Sequence, residues 1–331
     1  MVRGANCVSP REGDGVTCRL LADVGGTRTR FALLEGDRLG AIESVSTGAY
    51  SSAVDAFRHF LNGQAEGVVV EEAVIAAAGP VSGGRCKLTN ASWVLESEQL
   101  QRLLSLRDVT LVNDLAALAW GVPNLTDGDV ATIGDGYCEP GSPVVLLAPG
   151  TGLGVACYMP DAEGPHVLAS EGGHATLAAS DAAEASVLEF LRHRFDHVSA
   201  ERVLSGSGLV NLHQALGGHE GGAEVLTPEE IVRGALQGDN PQAAKAVDMF
   251  CGFLGSFAGD LALLFGAKGG VLLGGGIGPR LVPVLRRSAF RAKFVRKGRF
   301  EPFAARIATR VIVRPEPTFL GLKALATRID P

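Results

Sequence analysis

Three glycine-rich turns, each following a short apolar run, constrain this chain more than any other feature. They lie in "LLADVGGTRTRFAL" (20–33), "VVLLAPGTGLGVACYM" (144–159) and "GGVLLGGGIGPRLVPVL" (269–285). An apolar run bounded by glycine reads as a buried strand. The first two turns are followed by a second apolar run, so each predicts a β-hairpin. The third feeds a helix. Helical patterns cover 51–61, "AAEASVLEFLRHRF" (182–195) and "LTPEEIVRGAL", where Thr227, Pro228 and Glu230 predict a capping box. "EEAVIAAAGPV" reads as a strand ending at Gly79-Pro80, and "VTLVNDLAALAWG" as a strand turning into a helix. Alternating strands and helices predict an α/β architecture. The second hairpin repeats the logic of the first, which predicts two related halves. With no long linker, the halves are expected to meet over a cleft.

The 331 residues suffice for two domains. We expect a loose N-terminal extension over 1–16, a small α/β domain over 17–124 plus 315–331, and a large α/β domain over 125–314. The net charge of −6 gives no reason to expect nucleic acid or an anionic membrane as partner. The basic run "RRSAFRAKFVRKGRF" therefore reads as a solvated helix and loop. The six cysteines have no C-x-x-C spacing, which predicts free thiols and a cytoplasmic location. "MFCGFLGSFAGDLALLFGAKGG" is the most membrane-like stretch. Asp260 interrupts it, and Gly252, Gly255 and Gly259 fall at helical spacing, so it reads as a buried central helix.

The turns suggest chemistry. Adjacent glycines let a backbone bring its N–H groups close to a phosphate. In the first, Asp23, Val24, Gly25, Gly26 and Thr27 offer N–H groups, a hydroxyl and a carboxylate able to hold Mg²⁺ through water. Gly150, Thr151 and Gly152 form a second such turn, and Gly274, Gly275 and Gly276 a third, at a helix start that suits a nucleotide. Each also has a plain structural reading, as an ordinary hairpin turn or tight strand–helix packing. None is a Walker A or Rossmann fingerprint.

Polar side chains follow the same logic. In an open α/β sheet, residues at the carboxyl end of a strand face the ligand crevice. Asn113 suits a sugar hydroxyl there, and Asp114 can accept a proton from a hydroxyl attacking phosphorus. Asp114 could equally be a helix N-cap. Glu171, His174 and Glu201 can pair with vicinal hydroxyls. Glu201 alone also reads as a solvated helix-start residue.

In their order, "ADVGGTRTRFAL", "LTNASW", "LVNDLAALAWGVP", "APGTGLGVA", "SEGGHATLA", "SAERVLSGSGLVNLH", "GGVLLGGGIGPR" and "FRAKFVRKGRF" resemble the bacterial glucokinases of the non-zinc group. The resemblance implies a two-domain ribonuclease H-like/actin-like ATPase fold with a cleft between the domains, and a homodimer. It implies transfer of the γ-phosphoryl group of Mg²⁺-ATP to the 6-hydroxyl of D-glucose. It makes Asp114 the catalytic base, and Asn113, Asp114, Glu171, His174, Glu201 and Asn90 sugar contacts. The three glycine turns become the ATP site, with Asp23 toward the metal. Arg28 departs from the pattern, which has asparagine there. The rivals are a kinase of another hexose and a sugar-binding regulator that has lost catalysis.

Overall fold

The computed structural model describes residues 16–217 and 226–328. The expected N-terminal extension lies outside the described residues except for Val16. The chain begins with strands β1 (Val16–Val24), β2 (Arg28–Glu35), β3 (Arg38–Leu39) and β4 (Glu43–Ser46), then helix α1 (Ala53–Asn62). Strands β5 (Val68–Ala77), β6 (Val81–Ser82), β7 (Arg85–Lys87) and β8 (Val94–Glu96) precede α2 (Ser97–Leu104). Strand β9 (Asp108–Asn113) runs directly into α3 (Asp114–Trp120). Next come β10 (Val130–Gly134), β11 (Val144–Pro149), β12 (Leu153–Met159) and β13 (His166–Ser170). Four helices come after them: α4 (Ala182–Arg192), α5 (Gly206–Gly217), α6 (Pro228–Gln237) and α7 (Pro241–Leu264). The chain closes with β14 (Gly270–Leu273), α8 (Gly278–Leu285), α9 (Phe290–Val295), α10 (Glu301–Ala305), β15 (Thr309–Ile312) and α11 (Thr318–Arg328).

Contacts divide the chain into two compact units. One runs to Ala117 and resumes at Thr318; the other is Leu118–Pro317. The sequence places these boundaries at 124/125 and 314/315; in the structure the first division falls inside α3.

In the first unit the main sheet has the order β3-β2-β1-β5-β9, with β4 also on β2. The β1–β2 pair is antiparallel, whereas β1–β5 and β5–β9 are parallel. In the second unit the order is β10-β15-β14-β11-β12-β13. There β11–β12 and β12–β13 are antiparallel, and β11–β14 and β14–β15 are parallel. Counted from its hairpin, each sheet runs third, second, first, fourth, fifth, with β10 added beyond the fifth strand in the second. That shared order agrees with the expectation of two related halves.

The cores are built differently. In the first unit, Phe31 packs edge-on against Phe57 and stacks on Phe60. Ser52 caps α1 by accepting the Asp55 N–H, which fixes the helix start that carries both phenylalanines. In the second unit, α7 is the central helix. Asn240 caps it and Pro241 fills its first turn. It is long and apolar enough to cross a membrane, yet two thirds of its apolar window (67%) is buried in this unit. A Cβ at Gly255 would collide with the Phe290 carbonyl, and one at Gly259 with that of Phe294. The glycine face therefore lets α9 lie against α7 at backbone distance. The capping box of α6 forms as expected, with Thr227 and Glu230 bonding reciprocally.

The basic run corrects an expectation: much of it is not solvated. Arg291 donates to the carbonyls of Ile307, Ala305 and Asp135. Lys293 pairs with Asp181 and with Glu184, whose side chain is buried. Lys297 pairs with Asp260 at 2.7 Å and donates to the Ser256 carbonyl at 2.8 Å. Among their acceptors are the buried Glu184, Ser256 and Ile307, a demand that sequence spacing does not display.

Candidate active site

The first hairpin turn joins Val24 to Thr29, which face each other across β1 and β2. Gly25 closes the turn by donating to the Arg28 carbonyl at 3.0 Å. Thr47, fully buried, anchors it from outside. Its hydroxyl donates to the Gly25 carbonyl at 2.8 Å, and its N–H to that of Thr27 at 3.0 Å. Sequence reasoning missed Thr47, because a lone threonine in a polar loop gives no signal. Among the described residues the N–H groups of Gly26 and Thr27 have no hydrogen-bond partner. Gly26 has a local reason to be glycine: a Cβ there would sit 2.8 Å from that of Asn90. Asn90 thus lies against the turn, exposed.

Asp23 sits one residue before the turn, opposite Arg30, whose guanidinium reaches its carboxylate at 3.2 Å. A Mg²⁺ here would share that carboxylate with a fixed positive charge. Among the described residues no cluster of three His, Cys, Asp or Glu could cage a metal. Mg²⁺ usually keeps its waters and takes one or two carboxylates beside substrate phosphates. Asp23 fits water-mediated contact with such an ion, not direct coordination.

Gly79, after β5, accepts a hydrogen bond at 3.1 Å from the Asn113 amide. That amide also donates to Asp114 Oδ1 at 3.0 Å. Asn113 Oδ1 accepts the N–H groups of Leu115 and Ala116, at 3.0 and 3.1 Å. So Asn113 does much of the capping of α3, a role the sequence offers to its neighbour. It is also fully engaged, with two donors and two acceptor sites in use. Asp114 Oδ1 accepts the Leu115 N–H at 2.9 Å. Oδ2 has no partner among the described residues. Burial raises the Asp114 pKa; its hydrogen bonds to backbone N–H groups and to Asn113 oppose the shift without cancelling it. The result is a held carboxylate with one oxygen free and enhanced affinity for a proton.

In the second unit, Pro149 faces Leu153 across a three-residue turn of Gly150, Thr151 and Gly152. Gly150 donates to the Gly152 carbonyl, and Gly206 to the Gly150 carbonyl, each at 2.8 Å. The Leu153 N–H donates to Glu201 Oε2 at 2.9 Å. The N–H groups of Thr151 and Gly152 are without partners among the described residues. The third glycine loop lies beside this turn. Gly274 donates to the Leu147 carbonyl at 2.7 Å. Gly275 has φ +75°, and a Cβ there would lie 2.6 Å from the Pro149 carbonyl. Only glycine suits both conditions.

A groove of about 490 Å³ opens alongside, lined by Leu209, Pro228, Val232, Leu236, Ile277 and Arg280 among others. It is mainly apolar with a charged rim, the character of a small-molecule site. Sequence reasoning missed it, since its lining comes from α5, α6 and the start of α8, each unremarkable alone. Glu171 and His174 lie on this unit's surface, 3.9 Å apart and both exposed. Of the two glycines between them, Gly173 is required by packing: a Cβ there would strike the Leu153 carbonyl. Glu201 does lie in the first turn of a short 3₁₀ helix (Ala200–Arg202), but its carboxylate bonds to the second hairpin turn instead of being left to solvent. The structure thus gathers Asp23–Thr27, Asn90, Asn113 and Asp114 in one unit. It gathers Gly150–Gly152, Gly274–Gly276, Glu171, His174 and Glu201 in the other.

Comparison with known proteins identifies the family. The glucokinase family model matches residues 20–329. A glucokinase of Paramagnetospirillum magneticum is 42% identical over 314 residues, covering 93% of this chain and 97% of that protein. One of Nitrobacter hamburgensis is 41% identical over 308 residues, covering 93% and 96%. The crystal structure of a glucokinase from an Antarctic psychrotroph superposes with a TM-score of 0.82 at 31% identity, covering 94% of this chain and 99% of that one. The chain belongs to the glucokinase family.

Proposed function

We propose that this chain transfers the γ-phosphoryl group of ATP to the 6-hydroxyl of D-glucose, giving glucose 6-phosphate and ADP. The observation that carries the reading is Asp114, a part-buried carboxylate at the β9–α3 junction with Oδ1 held and Oδ2 without a partner among the described residues. As the sugar oxygen attacks phosphorus, its proton passes to Asp114 Oδ2. The new P–O bond forms as the bond to the β-phosphate bridging oxygen breaks, and ADP leaves with that oxygen. Asp114 needs a proton affinity above that of an ordinary carboxylate to share this proton well, and burial supplies it.

The N–H groups of Gly26, Thr27, Thr151 and Gly152, without partners among the described residues, are suited to phosphate oxygens. The groove beside Gly274–Gly276 suits the nucleoside. Glu171, His174, Glu201, Asn113 and Asn90 are assigned to the sugar; Asn113 would give up a local bond to take part. Asp23 would hold Mg²⁺ through water, and the ion would supply charge neutralisation for the phosphates. Each sheet is read as ribonuclease H-like, on its strand order. The homodimer and cytoplasmic location belong to the same proposal, and sedimentation velocity tests the first.

The deciding experiment measures ADP release by purified protein with Mg²⁺-ATP and glucose, mannose, fructose, N-acetylglucosamine or no sugar. Turnover chiefly with glucose supports the proposal. Turnover chiefly with another sugar moves the substrate and keeps the chemistry. Glucose binding without any turnover would overturn it in favour of a regulator.

A further inference from the structure

We infer that Glu201 is a positioning residue for the second phosphate turn, besides its assigned place at the sugar. The inference rests on the kinase reading above. Its carboxylate accepts the Leu153 N–H across 48 residues of sequence, at 2.9 Å. It fills the space where a Cβ at Gly152 would stand, 2.5 Å from Glu201 Oε2. Gly152 is thus glycine to admit this carboxylate. The segment carrying Glu201 is fixed in its turn. Ser205 donates from its hydroxyl to the Glu201 carbonyl at 2.8 Å, and accepts the Gly208 N–H at 3.0 Å. Gly206 donates to Gly150 on the far side of the same turn. The turn is therefore held at Gly150 by backbone and at Leu153 by one side chain.

One carboxylate has two oxygens. With Oε2 committed to Leu153, Oε1 is the atom left for a sugar hydroxyl. The group that reads the acceptor is then bonded to the loop that reads the donor. Removing it should weaken nucleotide binding even without sugar. Glutamine keeps an oxygen for Leu153 and loses only the charge and second acceptor offered to the sugar.

The experiment measures ADP affinity without sugar, and KM for glucose and for ATP, in Glu201→Ala, Glu201→Gln and His174→Ala. Loss of a hydrogen bond to a charged acceptor at a binding loop predicts about tenfold weaker ADP binding in Glu201→Ala. Glu201→Gln should stay within about twofold for ADP while its glucose KM rises about tenfold, the split expected when one of two charged bonds is lost. His174→Ala should change only the sugar terms. Unchanged ADP affinity in Glu201→Ala, or equal loss in both Glu201 variants, would overturn the inference. If the native protein phosphorylates no sugar, the kinase reading fails, and the ADP affinities still decide the role of Glu201 at the turn.

Discussion

The two hairpin turns occupy the same place in two sheets of the same order, yet each is held differently. The first is held by its own neighbourhood: Asp23 pairs with Arg30 across the hairpin, and Thr47 lies a short way along the chain. The second has no carboxylate on its strands; Ala148 faces Gly154 where Asp23 faces Arg30. Its carboxylate arrives from Glu201, and its other tether from Gly206. The fifth strands differ as well. Ala77 aligns with Asn113 at the end of the first sheet, and Leu273 with Val311 in the second. The next residue along the chain is Asp114 in one and Ile312 in the other. A shared topology thus makes two similar backbone cradles, and side chains at equivalent positions give them unequal work.

If only the first unit carries the base, Asp114→Asn should remove nearly all turnover. General-base loss costs about 10²–10⁴-fold in rate. Stability should move the other way. The folded pKa of Asp114 is raised, so this group favours the fold when protonated and opposes it as pH rises through that value. The asparagine variant should melt higher than the native protein at pH 7. A variant retaining native turnover, or melting lower, would break the asymmetry.

The opposite sign belongs to Asp129 in the second unit. The Thr126 N–H, Arg314 and the Thr126 hydroxyl pull its pKa down to about 2. Its contribution is present above the ordinary carboxylate range and lost as pH falls through about 2.

The hairpins, the β9–α3 junction and the capping box are legible in the sequence because each is local. An apolar run, a glycine and a cap residue lie within a few positions of one another. The polar residues are legible as a set, since strand ends and glycine turns favour such side chains. Their bonds are not. Asn113 reads as a sugar ligand, and the structure spends its amide on Gly79 and its carbonyl on the cap of α3. Glu201 bonds to Leu153, and Lys293 to Asp181 across a hundred residues or more; no period in the sequence encodes such pairs. The groove stays hidden because three ordinary helix segments make it only when assembled.

The two cores should fail to opposite substitutions. Phe57→Ala removes a fully buried ring from the first unit and should cost about 3–5 kcal/mol. Gly255→Ala adds one methyl against the Phe290 carbonyl in the second and should cost about 1–3 kcal/mol. Denaturant unfolding of both variants checks this. A neutral Gly255→Ala would mean that α9 can withdraw from α7. Smaller again is Asp129→Asn, expected to lower the melting temperature at pH 7 and to approach the native value as the buffer is taken from about pH 4 toward pH 2. A deficit that grows in acid would reverse the sign argued for this aspartate.

The smallest expected effect is at Arg28, the residue that follows Thr27 in the first turn. The side chain is exposed and, among the described residues, makes no ion pair or hydrogen bond. The second turn carries no cation at all. If the N–H groups of Gly26 and Thr27 do the binding, Arg28→Asn should leave stability within about 0.5 kcal/mol, as for other exposed sites. The KM for ATP should rise less than about threefold, because an exposed charge is largely screened. That small rise should vanish with added salt. A rise beyond tenfold that survives salt would place the guanidinium on the phosphates. The first turn would then hold the donor by charge, and the second by backbone alone.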